Sequence, residues 1–149
     1  MTAKIFDLTG KRIAISKGTS GNNFNYWLGT LGDAITFGFN NGSYQEFTTT
    51  NVHLAMNTWY HLAATFDNAT DQVHIYLNGA EVLSTTSTAT PMANAENLTI
   101  GKDAAGEYWC GGLDDLRLYN RVLCPTEVQA LFGGAPFQGV KITKWVEIQ

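Results

Sequence analysis

The sequence is poor in charge, in cysteine and in long apolar runs, and each shortage excludes a class of protein. Charged residues make up 15% of the 149 residues, and 9 Lys and Arg against 13 Asp and Glu give a net charge of −4. So few cations cannot form a basic stripe along phosphates, so we expect no nucleic-acid partner. No run of 18 apolar residues occurs, which excludes membrane insertion by a helix. Two cysteines, Cys110 and Cys124, are too few for a disulfide framework, and we expect free thiols.

The sequence also lacks the motifs in which catalytic side chains usually occur. His53, His61 and His74 lie in no motif that pairs a nucleophile with a base. Glycoside hydrolysis needs two carboxylates across one cleft, whereas the neighbouring Asp114 and Asp115 would point to opposite faces of a strand. The sequence therefore predicts a protein that is not an enzyme and requires no cofactor.

The sequence is rich in Gly, Thr and Asn, which favour turns and strands over helices. Apolar and polar residues alternate with a period of two along most of the chain, as at Ile13 and Ile15. Asn78-Gly79 between two such stretches predicts a tight hairpin. One short helix is predicted at 125–132, because this stretch begins with proline and has helical apolar spacing. About ten strands and one helix predict an all-β antiparallel sandwich that occupies 1–149 as one domain.

Four blocks of this sequence resemble laminin-G-like, concanavalin A-like domains. They are NTWYHLAATFD at 57–67, VHIYLNG at 73–79, LTIG at 98–101 and GLDDLRLYNRVL at 112–123. The resemblance covers about 11–132 and implies a jelly-roll of two antiparallel sheets, a non-catalytic binding role typical of bacterial members, and often a structural calcium. Trp59 and Trp109 are expected to pack in the core. The family is usually extracellular, but residues 1–7 do not resemble a signal peptide, so the sequence leaves localisation open.

The family pattern departs from this sequence at the N-terminus. The family opens with two strands, and residues 1–9 are too short to hold both. The segment 140–147, VKITKWVE, resembles the second of these strands, so we expect 140–149 to be an added C-terminal strand that replaces it. Two alternatives stay open: an unrelated tail that pairs with an exposed edge, or a strand exchanged with a second chain in a homodimer.

Three aromatic residues are the candidate ligand contacts. Trp145 lies among the polar residues of its strand, and Trp27 lies opposite the apolar set that begins at Phe24. A flat ring beside hydrogen-bonding groups suits stacking on a sugar. Tyr44, in a turn-rich stretch, is the third candidate. We expect a glycan on the curved sheet face, and the alternative is a protein-interaction or oligomerisation domain without a sugar site.

Asp114 is the candidate metal ligand. It has the parity of Leu116 and Leu118 in a predicted strand, so its carboxylate is expected to point inward. A buried carboxylate needs hydrogen-bond donors or a cation. Loop N–H groups are one interpretation and a calcium ion is the other.

Overall fold

Ten strands and one helix form the fold in a computed structural model that describes residues 1–18, 24–40 and 42–134. The elements are β1 (Thr2–Ile5), β2 (Lys11–Gly18), β3 (Phe24–Leu31), β4 (Ala34–Asn40), β5 (Tyr44–Thr48), β6 (Trp59–Asp67), β7 (Gln72–Leu77), β8 (Ala80–Thr86), β9 (Leu98–Ile100), β10 (Gly111–Asp114) and α1 (Pro125–Phe132). In this part of the chain no helix is long and apolar enough to cross a membrane.

The strands form two five-stranded sheets. Sheet I has the order β10-β1-β6-β7-β8, and sheet II has the order β5-β4-β3-β2-β9. Neighbouring strands are antiparallel throughout. The two inner faces enclose the main core, which includes Ile5, Leu28, Phe39, Leu62 and Ile75. This architecture confirms the predicted jelly-roll β-sandwich.

The predicted tight hairpin and the predicted short helix are both present at the expected positions. Asn78 and Gly79 have φ of 50° and 80°, the left-handed conformations that a tight hairpin between β7 and β8 requires. Helix α1 occupies the predicted 125–132, and its first turn is fixed by Glu127, whose carboxylate accepts the N–H of Cys124 at 2.9 Å. The helix packs on the outer face of sheet I, where Val128 is fully buried against Tyr76.

Two irregularities in sheet II overturn the simple alternation of apolar residues. Ile13 pairs with Gly29 but Ile15 pairs with the adjacent Leu28, so Ala14 is an extra residue. This β-bulge turns Ile13 to the outer face while Ile15 joins the core. A second register shift, beside Gly18, moves Phe24 to the same outer face. The expectations that Ile13 shares a face with Ile15 and that Phe24 lies opposite Trp27 are therefore wrong.

The predicted inward orientation of Asp114 is also wrong. Strand β10 ends at Asp114, and Asp115 has a φ of 50°, so the alternation does not continue to Leu116 and Leu118. Leu113 packs against the core instead, and Asp114 is exposed.

Of the two tryptophans expected in the core, Trp109 is found there and Trp59 is not. Trp109 packs against the main core and its Nε1 donates to the carbonyl of Gly112 at 3.3 Å, as expected for a packed indole. Trp59 is 51% exposed, because its ring lies on the outer face of sheet I over Gly112, so the expectation of a core residue is wrong. Cys110 and Cys124 are free and exposed. The predicted strand 140–149 and Trp145 lie outside the described residues.

Candidate functional site

The outer face of sheet II carries a stacked aromatic pair. Trp27 of β3 is only 2% exposed, and its indole lies flat across β4 at Gly38. A Cβ atom on Gly38 would lie 2.0 Å from Cζ2 of Trp27, so the glycine leaves the space that the indole fills. Tyr44 of β5 stacks on Trp27 with ring centroids 4.6 Å apart and an interplanar angle of 16°. Tyr44 is 50% exposed, so it is the ring of the pair that a ligand can reach.

A lysine and a glutamate hold this pair in place. Nζ of Lys11 lies 4.7 Å from the ring centroid of Trp27 and 4.9 Å from that of Tyr44, a cation–π geometry to both rings. The same ammonium contacts the hydroxyl of Tyr44 and forms an ion pair with Glu46. The Tyr44 hydroxyl donates to Oε2 of Glu46 at 2.9 Å. The exposed ring is therefore fixed from below by stacking and at its edge by hydrogen bonds.

Carboxylates give the surroundings of Tyr44 a negative character. Burial is the main cause that raises the pKa of the Tyr44 hydroxyl, and the nearby Glu46, Glu107 and Asp103 raise it further. Burial also raises the pKa of Glu107, which Lys11 opposes. Asp103 is 6% exposed, and its Oδ1 accepts the N–H of Glu107 at 2.9 Å. Three carboxylates thus accompany one ammonium group around the aromatic pair.

A polar cleft of about 290 Å³ lies beside this cluster. Its walls come from the end of β2, from β9 and from the segments on either side of β9, and they include Gly18, Thr99, Lys102, Asp103 and Tyr108. Tyr108 is 60% exposed. Because Asp103 belongs both to the cleft and to the charged surroundings of Tyr44, the cleft extends the candidate site along sheet II.

The structure thus brings together two of the three predicted ligand residues, Trp27 and Tyr44. Lys11, Glu46 and the acidic pair after β9, Asp103 and Glu107, were not predicted from the sequence. One signal was present, because a glycine inside a strand pattern, here Gly38, often marks the close approach of another group. The acidic pair had no such signal, since its position depends on the path of the connection between β9 and β10.

The surroundings of Asp114 do not fit a calcium site. Its Oδ1 accepts the N–H of Asp115 at 2.7 Å, while the Asp115 carboxylate accepts Nε of Arg117 at 2.8 Å. Calcium takes six to eight oxygen ligands. The described residues contain no group of three or more His, Cys, Asp or Glu side chains that could hold a metal ion.

Several solved structures share this fold. The CBM40 of the IT-sialidase from Ruminococcus gnavus superimposes with a TM-score of 0.75 at 15% identity, covering 89% of this chain and 80% of that one. The SAP-like pentraxin from Limulus polyphemus gives 0.70 at 18% identity, covering 88% and 66%. A putative carbohydrate binding protein from Bacteroides ovatus gives 0.69 at 20% identity, covering 86% and 38%. At these identities the likeness concerns the fold.

None of the curated proteins matches this sequence. A sequence model of one superfamily does match, over residues 3–129, which is most of the chain. The chain belongs to the concanavalin A-like lectin/glucanases superfamily.

Proposed function

We propose that this protein is a non-catalytic carbohydrate-binding domain whose glycan lies against Tyr44 on the outer face of sheet II. The observation that carries the proposal is a half-exposed ring that is stacked on a buried indole and surrounded by hydrogen-bonding groups. Sugar rings present C–H groups on their faces and hydroxyls at their edges. An aromatic plane with polar neighbours complements both.

The fixed position of Tyr44 supports this role. A ring that is already held by Trp27, Lys11 and Glu46 loses little conformational freedom when a ligand binds. Ordering a mobile side chain at an interface costs about 0.5–1.5 kcal/mol, which a pre-organised ring avoids. In this proposal Tyr44 touches the sugar, and Trp27 supports Tyr44 from below.

The charges around Tyr44 favour neutral sugars over anionic ones. Lys11 is already paired with Glu46, and Glu107 and Asp103 add further carboxylates. Carboxylates accept hydrogen bonds from sugar hydroxyls, whereas they repel the carboxylate of an acidic sugar. The R. gnavus CBM40 is seen bound to α2,3-sialyllactose, and the present chain differs in this expected preference.

The state of these carboxylates also supports a role without catalysis. A glycosidase needs one carboxylic acid and one carboxylate that are both free to act on the sugar. Here Glu46 is paired with Lys11, Asp103 is buried and bonded to the backbone, and Glu107 is hydrogen-bonded to Asp103. Products of hydrolysis after long incubation with a bound glycan would contradict this part of the proposal.

A glycan array with neutral and sialylated sugars tests the proposal, followed by calorimetric titration of the best ligand. We expect a neutral glycan to bind and Tyr44→Ala to weaken it at least fivefold, since an aromatic contact contributes about 1 kcal/mol or more. Tyr44→Phe keeps the ring and should lose less. Trp59→Ala, which removes a similarly exposed ring from the outer face of sheet I, is the matched control and should bind normally.

Two outcomes contradict the proposal. Equal binding by the wild-type protein and Tyr44→Ala would place the sugar elsewhere. No binding to any glycan, together with a stable dimer in solution, would favour the protein-interaction alternative.

A further inference from the structure

A closed loop that follows β9 borders the polar cleft. It runs from Gly101 to Trp109 and returns to the edge of β2, where Tyr108 forms a parallel bridge with Ile13. The N–H of Gly101 donates to the carbonyl of Ala14, and the N–H of Trp109 donates to the carbonyl of Gly101, both at 2.8 Å. The base of this 101–109 loop is therefore fixed to β2.

Tyr108 presents its ring on the outer face of sheet II. It lies beside Ile13, which belongs to the outer-face cluster of Trp27. The next residue, Trp109, packs against the main core, so the two neighbouring side chains point to opposite faces. Tyr108 is 60% exposed and lines the cleft. Sheet II therefore carries two exposed tyrosine rings on one face, Tyr44 and Tyr108.

The two tyrosines are separated across the strands of sheet II. Strand β3 pairs with one edge of β2, and Tyr108 occupies the strand position at the other edge. Tyr44 stacks on the indole of Trp27, which extends from β3 across β4. The rings are thus between two and three strand spacings apart, about 10–14 Å. One sugar unit cannot contact both rings, whereas a chain of linked sugar units can.

Polar side chains connect the surroundings of the two rings. Lys11 contacts the Tyr44 hydroxyl, and Asp103 and Glu107 lie close enough to raise the pKa of that hydroxyl. Asp103 also lines the cleft beside Tyr108. Its Oδ1 accepts the N–H of Glu107 at 2.9 Å, which joins the two acids across the loop. A sugar chain that extends from Tyr44 to Tyr108 would therefore meet hydrogen-bond acceptors along its path.

We propose that the cleft is a second sugar subsite, with Tyr108 as its aromatic contact, and that the protein binds a linear neutral glycan of about three or more sugar units. The second subsite depends on the proposed function, since the first subsite is the ring of Tyr44. The cleft volume of about 290 Å³ is near the lower end of small-ligand pockets, about 300 Å³, and suits one unit of the chain. Thr99 and Asp103 in its walls carry side-chain oxygens that pair with sugar hydroxyls.

The second subsite changes the expected ligand from a single terminal sugar to a chain. A monosaccharide contacts only the first subsite, and its affinity reflects one aromatic contact. A chain that reaches both subsites gains the second contact without losing translational freedom a second time. Affinity should therefore increase with chain length until both Tyr44 and Tyr108 are covered, and then level off.

Calorimetric titration with cello-, malto-, xylo- and manno-oligosaccharides, graded from monosaccharide to hexasaccharide, tests the second subsite. In a series that binds, we expect the tetrasaccharide to bind at least tenfold more tightly than the monosaccharide. Tyr108→Ala should weaken tetrasaccharide binding at least fivefold and leave monosaccharide binding unchanged, whereas Tyr44→Ala should weaken both. Trp59→Ala is again the matched control and should bind every length like the wild type.

Amide NMR on the wild-type protein gives a second measurement, which decides the question if Tyr108→Ala does not fold. The tetrasaccharide should shift the amides of both β5 and the 101–109 loop, and the monosaccharide those of β5 alone. Equal affinity at every length, full tetrasaccharide affinity in a folded Tyr108→Ala, or unshifted loop amides would overturn the second subsite and leave the proposed function intact. No binding by any neutral sugar, or unchanged binding by Tyr44→Ala, would overturn both.

Discussion

Replacement of Trp27 by alanine distinguishes an indole that supports the fold from one that is free to contact ligands. Trp27 is 2% exposed, between the sheet at Gly38 and the ring of Tyr44. A buried tryptophan removes about 150–250 Å² from water, which corresponds to about 4–6 kcal/mol at about 25 cal/mol per Å². Its Nε1 finds no hydrogen-bond partner among the described residues, which reduces this gain. We therefore expect Trp27→Ala to lower the free energy of unfolding by about 3–5 kcal/mol.

Urea unfolding followed by far-UV circular dichroism measures this loss without relying on the fluorescence of the deleted residue. With a slope of about 2 kcal/mol per M urea, the midpoint should fall by about 1.5–2.5 M. Trp59→Ala is the control, because Trp59 is 51% exposed, and it should cost about 1 kcal/mol or less. If Trp27→Ala costs no more than Trp59→Ala, the indole is not enclosed, and the support of Tyr44 by Trp27 is refuted.

Two further predictions concern protons and metal. Burial lowers the pKa of His61 to about 4, below its ordinary value of 6.5. As the pH falls, His61 therefore binds a proton in the unfolded chain before it does so in the folded one. The free energy of unfolding should fall as the pH falls from about 6.5 to about 4. Thermal melts of the wild type and His61→Gln across this range check it, and an equal slope in both would contradict it. Removal of calcium by EDTA should leave the melting temperature unchanged in the wild type and in Asp114→Ala, since Asp114 has no built cation site. A calcium ion bound only to the folded protein would stabilise it by about 2.7 kcal/mol at a hundredfold excess over its Kd. Such a stabilisation in the wild type, absent from Asp114→Ala, would contradict the prediction.

The elements that the sequence predicted well are those with local causes. The hairpin at Asn78-Gly79 depends on two adjacent residues that tolerate positive φ, and the helix depends on a proline start and on the cap made by Glu127. Each signal lies within a few residues of the element that it determines. The class of fold followed from the repeated period of two, which survives small errors in individual strands.

The errors arise where a single backbone conformation inverts the pattern. The extra residue Ala14 and the left-handed Asp115 each reverse the side to which the neighbouring side chains point. Alanine and aspartate are not typical of these backbone conformations, which depend on the packing of neighbouring strands. The expectation for Asp114 was wrong for this reason.

The candidate site was only partly predictable for a different reason. Trp27 and Tyr44 were each recognised as aromatic residues off the expected core, but their stacking depends on the register of β3, β4 and β5. Lys11 comes from a fourth strand. The aromatic residues can be identified from one sequence, but their stacking depends on strand pairings between residues that are distant in the sequence.

The bulge at Ala14 has a consequence for how the binding face can vary between related sequences. Residues after the bulge are fixed by the core through Ile15, whereas Ile13 and Lys11 before it face the aromatic pair. Deletion of Arg12, just before the bulge, would keep Ile13 opposite Gly29 but shift Lys11 into the position of Arg12 and Gly10 into that of Lys11. The core could survive such a deletion while the cation beside Tyr44 disappears. One-residue insertions and deletions in this strand are therefore a route by which ligand preference changes without a change of fold.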